Sequence, residues 1–359
     1  MKLLELSAQL LAPPGEGVFT VSNSKERKAS LQKKLYDSQD VRKNWLESLG
    51  DIAESKLCLL GVPSDCGGGI LRGANWGPLF VREALLKTSP YPALDLGDVR
   101  VVPHLLHDEM LNDKTIRDCR KALYQDEAIE LPVSPLSITE SYLDQFYLEH
   151  PNTKVFAIGG DHSVSYPLVR SWARSRPHKK RALLHFDAHT DLLESRLGIR
   201  VSFGSWTFHV REFFPHKDLL VQVGIRSTGK ERSHWENALG LTQYWPDEVK
   251  KLGAKKIAHK IIEQYHSQQV EEVYLSFDID ALDAQWAQAT GTPEGAGLDP
   301  VTCCEIIRTV AAEFPITGAD LVEVAPLVNH EFKPNTHQEL TLMSAASLAR
   351  VMMEVMTDA

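Results

Sequence analysis

The sequence of 359 residues predicts an α/β fold, a three-layer sandwich in which helices cover both faces of a doubly wound, mostly parallel sheet. Short, nearly continuous apolar runs recur along the chain, and longer segments with helical spacing separate them. That alternation is the pattern of parallel strands buried on both faces. The third observation is that polar, charge-bearing residues follow several of the runs directly, where ligands bind in such sheets, at the carboxyl ends of the strands.

From Met1 to about Asp51 the chain is polar, and the amphipathic stretch Lys25–Leu49 reads as one or two helices. Residues 1–55 are expected to form a helical extension on a main α/β domain of residues 56–359. The first buried-strand signal, Lys56–Val62 (KLCLLGV), ends at Pro63 and a glycine-rich turn, Gly67-Gly68-Gly69. Similar runs stand at Val155–Ile158, Ala182–Phe186, Leu219–Ile225, Val273–Phe277 and Asp320–Val324. Helical spacing marks Pro78–Lys87, Tyr166–Arg174, Lys255–His266 and Thr302–Phe314. No internal repeat is visible.

A formal charge of −9 and a pI near 5.9 exclude non-specific nucleic-acid binding, which needs clustered Lys and Arg. The five cysteines are odd in number and scattered, without the spacing of a zinc knuckle or a disulfide framework, and read as reduced cytoplasmic thiols. The opening residues break into Glu5, Ser7 and Gln9 before a long apolar region forms, so no secretory signal is expected. No run approaches the roughly 20 apolar residues of a membrane span.

Three of the expected strands run into metal-binding side chains: Gly159-Gly160-Asp161-His162-Ser163, Asp187-Ala188-His189-Thr190-Asp191 and Asp278-Ile279-Asp280. Residues two apart in an extended segment point the same way, so Asp187, His189 and Asp191 form one file of ligands and Asp278 and Asp280 another. Taken singly, a DxD is as readily a solvated turn, and a histidine in GGDHS a hydrogen-bonded loop residue. All of them together, each after a strand, imply cations, because clustered buried carboxylates otherwise repel one another. A set dominated by Asp with two His and no Cys suits a hard or borderline ion such as Mn²⁺. Two ions roughly 3.5 to 4 Å apart, bridged by shared carboxylates, make hydroxide available near neutral pH.

On GGDHS, HFDAHTDL and SFDIDALD the chain resembles the ureohydrolases, the arginase and agmatinase family, over about Lys56–Val355. RGANWGP, LGDV, VGIRS, ATGTPEGAGL and DLVEVAPL fit the same resemblance. It implies an arginase-like fold, a trimer or hexamer, and cleavage of a guanidino compound to urea and an amine. It implies one manganese on His162, Asp187, Asp191 and Asp278, and a second on His189, Asp187, Asp278 and Asp280. A metal-bridging hydroxide would attack the guanidinium carbon, Asp191 would carry a proton to the leaving amine, and Glu323 would pair with the guanidinium. Thr290 is expected in a loop lining the site.

Two departures stand out. The family's His-Gly pair after DxHxD, whose histidine shuttles protons, is Phe203-Gly204 here, and His209 is either a substitute or a structural histidine. The stretch Leu192–Arg200 lacks the Asn- and Ser-containing pattern with which arginases read an amino-acid head group, and the GTPEGAGL and GGDHSVSYP segments lean towards agmatinase-like enzymes. Arg196 and Arg200 read as surface arginines or, alternatively, as ligands of a substrate carboxylate. Arginase or formiminoglutamase activity, a metal-binding member without catalysis, and an unrelated phosphoesterase are the competing readings.

Overall fold

The computed structural model describes residues 1–18, 25–66, 69, 71–326 and 336–358. Gly67 and Gly68 of the glycine-rich turn and Leu327 of DLVEVAPL lie outside the described residues. Nine strands form one sheet: β1 (Leu11–Ala12), β2 (Leu57–Val62), β3 (Leu94–Val99), β4 (Lys154–Gly159), β5 (Arg181–Phe186), β6 (Leu220–Val223), β7 (Thr242–Tyr244), β8 (Glu272–Asp278) and β9 (Ile316–Val322). Their order is β1-β3-β2-β4-β9-β8-β5-β6-β7, parallel at every step except β1 against β3.

The sheet is apolar on both faces, and alternate residues divide between two cores. Leu57, Leu59, Phe156 and Ile158 enter one, under the helices Gly77–Leu85, Ala254–Ser267, Pro300–Ala311 and Thr336–Asp358. Cys58, Leu60, Val155 and Ala157 enter the other, under Leu3–Leu10, Val41–Ser48, Pro135–Glu149 and Ser165–Arg174. Each large apolar side chain so buried contributes about 1.5–3 kcal/mol. Burial on both sides is why these strands are legible as unbroken apolar runs. The segment His337–Asp358 is long and apolar enough to cross a bilayer, but it buries Ala345, Leu348, Ala349, Met352, Met353 and Met356 in the first core.

The amphipathic stretch Lys25–Leu49 forms two helices, Lys25–Tyr36 and Val41–Ser48, with Asp40 capping the second through the Lys43 N–H. The first 55 residues also supply the edge strand β1, whose Leu11 pairs with Val99, and the Trp45 indole donates to the Leu96 carbonyl. β3 reads poorly in sequence because charges interrupt it, and those charges are matched inside. Arg82, with no exposed surface, makes a forked contact to Asp95 (Nε–Oδ2 2.8 Å, Nη2–Oδ1 2.9 Å) and a 2.6 Å contact to Asp98. Gly97 (φ 88°) lies so close to β1 that a Cβ would meet the Ala12 carbonyl at 2.2 Å.

Candidate metal centre and substrate cavity

Sheet order does the assembling. β4, β9, β8 and β5 are consecutive neighbours in the middle of the sheet. Their carboxyl ends are level, since Ile158 pairs with Leu321, Phe277 with Leu321, Asp278 with Val322 and Phe186 with Phe277. The segments that leave these four strands therefore meet, bringing His162, Asp187–Asp191, Asp278–Asp280 and Glu323 together. The crossing after β4 needs glycine, because a Cβ on Gly160 would sit 1.7 Å from the Ser64 carbonyl oxygen.

Backbone amides hold one oxygen of each of three carboxylates and turn the other towards the cluster. Asp187 Oδ1 accepts from the His189 N–H (2.6 Å), Asp278 Oδ1 from the Asp280 N–H (2.8 Å) and Asp280 Oδ1 from the Ala188 N–H (3.1 Å). The Oδ2 atoms of Asp187, Asp191 and Asp278 lie 3.2, 3.2 and 3.1 Å from Nδ1 of His162. That nitrogen is buried and has no hydrogen-bond partner among the described residues. Nε2 of His162 faces Ser276 Oγ (3.1 Å), which donates to Asp320 (2.7 Å), and Tyr274 donates to the other Asp320 oxygen (2.7 Å). This relay fixes the proton on Nε2 and leaves Nδ1 as a lone-pair donor among three carboxylate oxygens. A cation is the partner such a point lacks.

A second donor group adjoins the first and shares Asp187. His189 Nδ1 lies 3.1 Å from Asp280 Oδ2 and 3.4 Å from Asp187 Oδ1. Ligand atoms of His162, His185, Asp187 and Asp191 fall within 4.8 Å of one another, as do those of Asp187, His189 and Asp280. Burial, then the Asp280 and Asp187 charges, push the Asp278 carboxyl well above its usual range. Burial disfavours charge on His162, but the surrounding carboxylates win and drive its imidazole well above the ordinary value. The cluster thus demands positive charge, as protons or as metal.

Residues without a sequence signal of their own complete the support. His185 donates from Nε2 to Asp187 Oδ2 (2.9 Å), and its Nδ1 accepts from Gln222 (3.0 Å), which also donates to the Thr190 carbonyl and accepts from Gln243. The Trp206 indole donates to Asp191 Oδ2 (2.8 Å). Applying the period of two backwards along each strand finds two of them, since Ser276 precedes Asp278 and His185 precedes Asp187 by two.

His162, His189, Asp191, Asp278 and Glu323 line a cavity of ≈ 310 Å³. Asp187 and Asp280 are buried behind it. Glu323 Oε1 accepts from the His162 N–H (2.8 Å), leaving Oε2 for a ligand. Asp191 (φ 52°) and Glu323 (φ 62°) both adopt left-handed backbone, a strained choice for side chains that is common at functional sites. Thr290, expected to line the site, is not among the cavity residues. Its bridge to Val324 turns it inward, fully buried, and Thr292 lines the cavity instead, donating to Asp280 Oδ2 (3.2 Å). Phe203 lines the cavity wall. His209 is committed elsewhere, with Nε2 at 2.9 and 2.8 Å from the Glu194 and Arg200 carbonyls, and Arg200 pairs with Glu109 (2.8 Å) on an outer surface.

The Arginase family model matches residues 55–355. The chain belongs to the Arginase family. It is 28% identical over 301 residues to the guanidinobutyrase of Pseudomonas aeruginosa, covering 78% of this chain and 82% of that protein. It is 32% identical over 282 residues to the mitochondrial guanidino acid hydrolase of Homo sapiens, covering 74% and 70%. The crystal structure of agmatine ureohydrolase from Thermoplasma volcanium superposes with a TM-score of 0.64 at 22% identity, over 85% of this chain and 91% of that one, and shows the same fold. As an arginase-family hydrolase the protein carries a buried His/Asp cluster suited to metal.

Chelation tests that cluster. Stripping divalent cations should lower the unfolding midpoint by on the order of 5 °C, since a cation at a thousandfold excess over its Kd stabilises the folded state by about 4 kcal/mol. Differential scanning fluorimetry with and without chelator measures it, and an unchanged midpoint in protein shown to have lost metal would count against the site.

Proposed function

We propose that the protein is a binuclear manganese hydrolase that cleaves a guanidino compound, an agmatine-like amine or a guanidino acid, to urea and an amine. The observation that carries this is the unpartnered Nδ1 of His162 among the Asp187, Asp191 and Asp278 oxygens, with Glu323 lining the same cavity. His162, Asp187, Asp191 and Asp278 would hold one ion, and His189, Asp187, Asp278 and Asp280 the other. The ions, when bound, supply a water made nucleophilic near neutral pH.

The chain's own residues do the rest. The free Oε2 of Glu323 accepts from the forked N–H donors of the guanidinium and sets its carbon over the cluster. Asp191 takes a proton from the attacking water and delivers it to the leaving nitrogen. Trp206, donating to Asp191 Oδ2, holds that carboxylate in place. Phe203 transfers no proton, so it takes no part in moving protons to or from the substrate. The five cysteines are free thiols, in keeping with a cytoplasmic setting, and a homo-oligomer, trimer or hexamer, is expected by light scattering.

Urea release by manganese-loaded protein from agmatine, arginine, 4-guanidinobutyrate, 3-guanidinopropionate and guanidine tests the reading. Release from at least one is expected. Silence across the panel with metal bound would favour the second reading, a non-catalytic metal-binding member, for which Phe203 at the shuttle position is the supporting observation.

A further inference from the structure

The cavity is lined by groups of opposite charge. Asp191, Asp278 and Glu323 contribute carboxylates. Arg196 contributes a cation, and it also lines a second cavity of ≈ 340 Å³ together with Arg72. Neither arginine has an acidic partner within ion-pair distance among the described residues, unlike Arg200, whose guanidinium is taken by Glu109. Leu193 and Trp235 add apolar surface to the first cavity.

Arg196 is held rather than loose. Its backbone N–H and carbonyl both pair with Ile199 (2.9 and 2.9 Å), closing a two-residue turn whose central Leu197 (φ 51°) and Gly198 (φ 82°) are left-handed. Its guanidinium carbon lies 5.1 Å from the centre of the Phe203 ring. Stacking on a ring face fixes the plane of the guanidinium and leaves its N–H edge free for a planar anion. The phenylalanine that stands where relatives carry a histidine therefore acts as a platform for this cation.

We propose that Arg196, stacked on Phe203, reads the carboxylate of a short guanidino acid whose guanidinium lies at Glu323, and so makes the protein prefer such acids to agmatine. This rests on the hydrolase reading above. A carboxylate offers Arg196 paired N–H···O bonds, whereas the terminal ammonium of agmatine meets a like charge there. Apolar methylenes between the two charged ends fit the Leu193 and Trp235 surface.

Three proteins, wild type, Arg196→Met and Arg196→Glu, are compared for kcat/KM on 4-guanidinobutyrate, 3-guanidinopropionate and agmatine. Binding of 4-aminobutyrate and 1,4-diaminobutane, which carry the same distal groups and are not hydrolysed, is read in parallel from tryptophan fluorescence. The wild type is expected to prefer the acids. Arg196→Met should lower the acid-to-agmatine ratio by about 10- to 100-fold, mostly through KM. Arg196→Glu should reverse the preference in both turnover and binding. Raised salt should weaken the wild-type preference, because the arginine is solvent-accessible. An acid-to-agmatine ratio that neither variant moves, or a wild type that prefers agmatine, overturns the assignment while leaving the hydrolase reading intact. Urea from none of the compounds, with 4-aminobutyrate bound no better than 1,4-diaminobutane, overturns both.

Discussion

Asp278→Asn is expected to lower urea release by at least about a thousandfold, on the order of 4 kcal/mol of transition-state stabilisation, with kcat/KM on the best guanidino substrate as the readout. Asn keeps the shape, and its carbonyl oxygen still accepts the Asp280 N–H that Asp278 Oδ1 now holds at 2.8 Å. What it removes is the charge on the oxygen aimed at His162, and with it one of the two carboxylates that both proposed ions share. Metal content measured on the same sample should fall. The sign on stability is opposite. Asp278's carboxyl is pushed up by burial, Asp280 and Asp187, so its charged form is a cost to the metal-free fold at neutral pH. The chelated variant should therefore melt above chelated wild type. Full activity in Asp278→Asn would remove this residue from the chemistry.

Arg82→Met should be the most damaging single change to stability, by about 3–5 kcal/mol, because it strands Asp95 and Asp98 as uncompensated charges inside the protein. For a chain of 359 residues that is roughly 4–7 °C in Tm. Burial raises the Asp98 carboxyl above 3.8, and Arg82 is what restrains it. A folded-state value raised above the unfolded one gives stability that is present at low pH and lost as pH rises through the folded value. Without Arg82 that folded value climbs further, so the deficit of Arg82→Met should be smallest near pH 4 and widen towards neutrality. Adding Asp95→Asn and Asp98→Asn should recover much of the loss. Thermal melts of the single and triple variants across that pH range decide it, and a deficit independent of pH would point to lost packing rather than stranded charge.

The strands legible in the sequence are those buried on both faces, because burial leaves only apolar residues to read. β3 escapes the pattern because Asp95 and Asp98 belong to an internal ion cluster closed by Arg82, a partner on another element. β7 escapes because it has three residues, one of them Gln243, which is buried only by virtue of Gln222 and Trp245. β1 has two residues and no periodicity. The ligand-bearing motifs are local in sequence and could be read outright. Their supports could not, since Gln222 reaches His185 across 37 positions and Asp320 reaches Ser276 across 44. Thr290 and Thr292 show the remaining ambiguity: the motif names both, and only the backbone bridge to Val324 decides which one faces the cavity.

Because the site hangs from four adjacent strands with level ends, it also reports on how the sheet has zipped together. A slip of one residue between β8 and its neighbours would turn Asp278 and Asp280 to the opposite face and carry Phe277 and Ile279 into their places. No cation would then find its oxygens. Uptake of a cation by the cluster would thus serve as a parity check on the register of the central ladder.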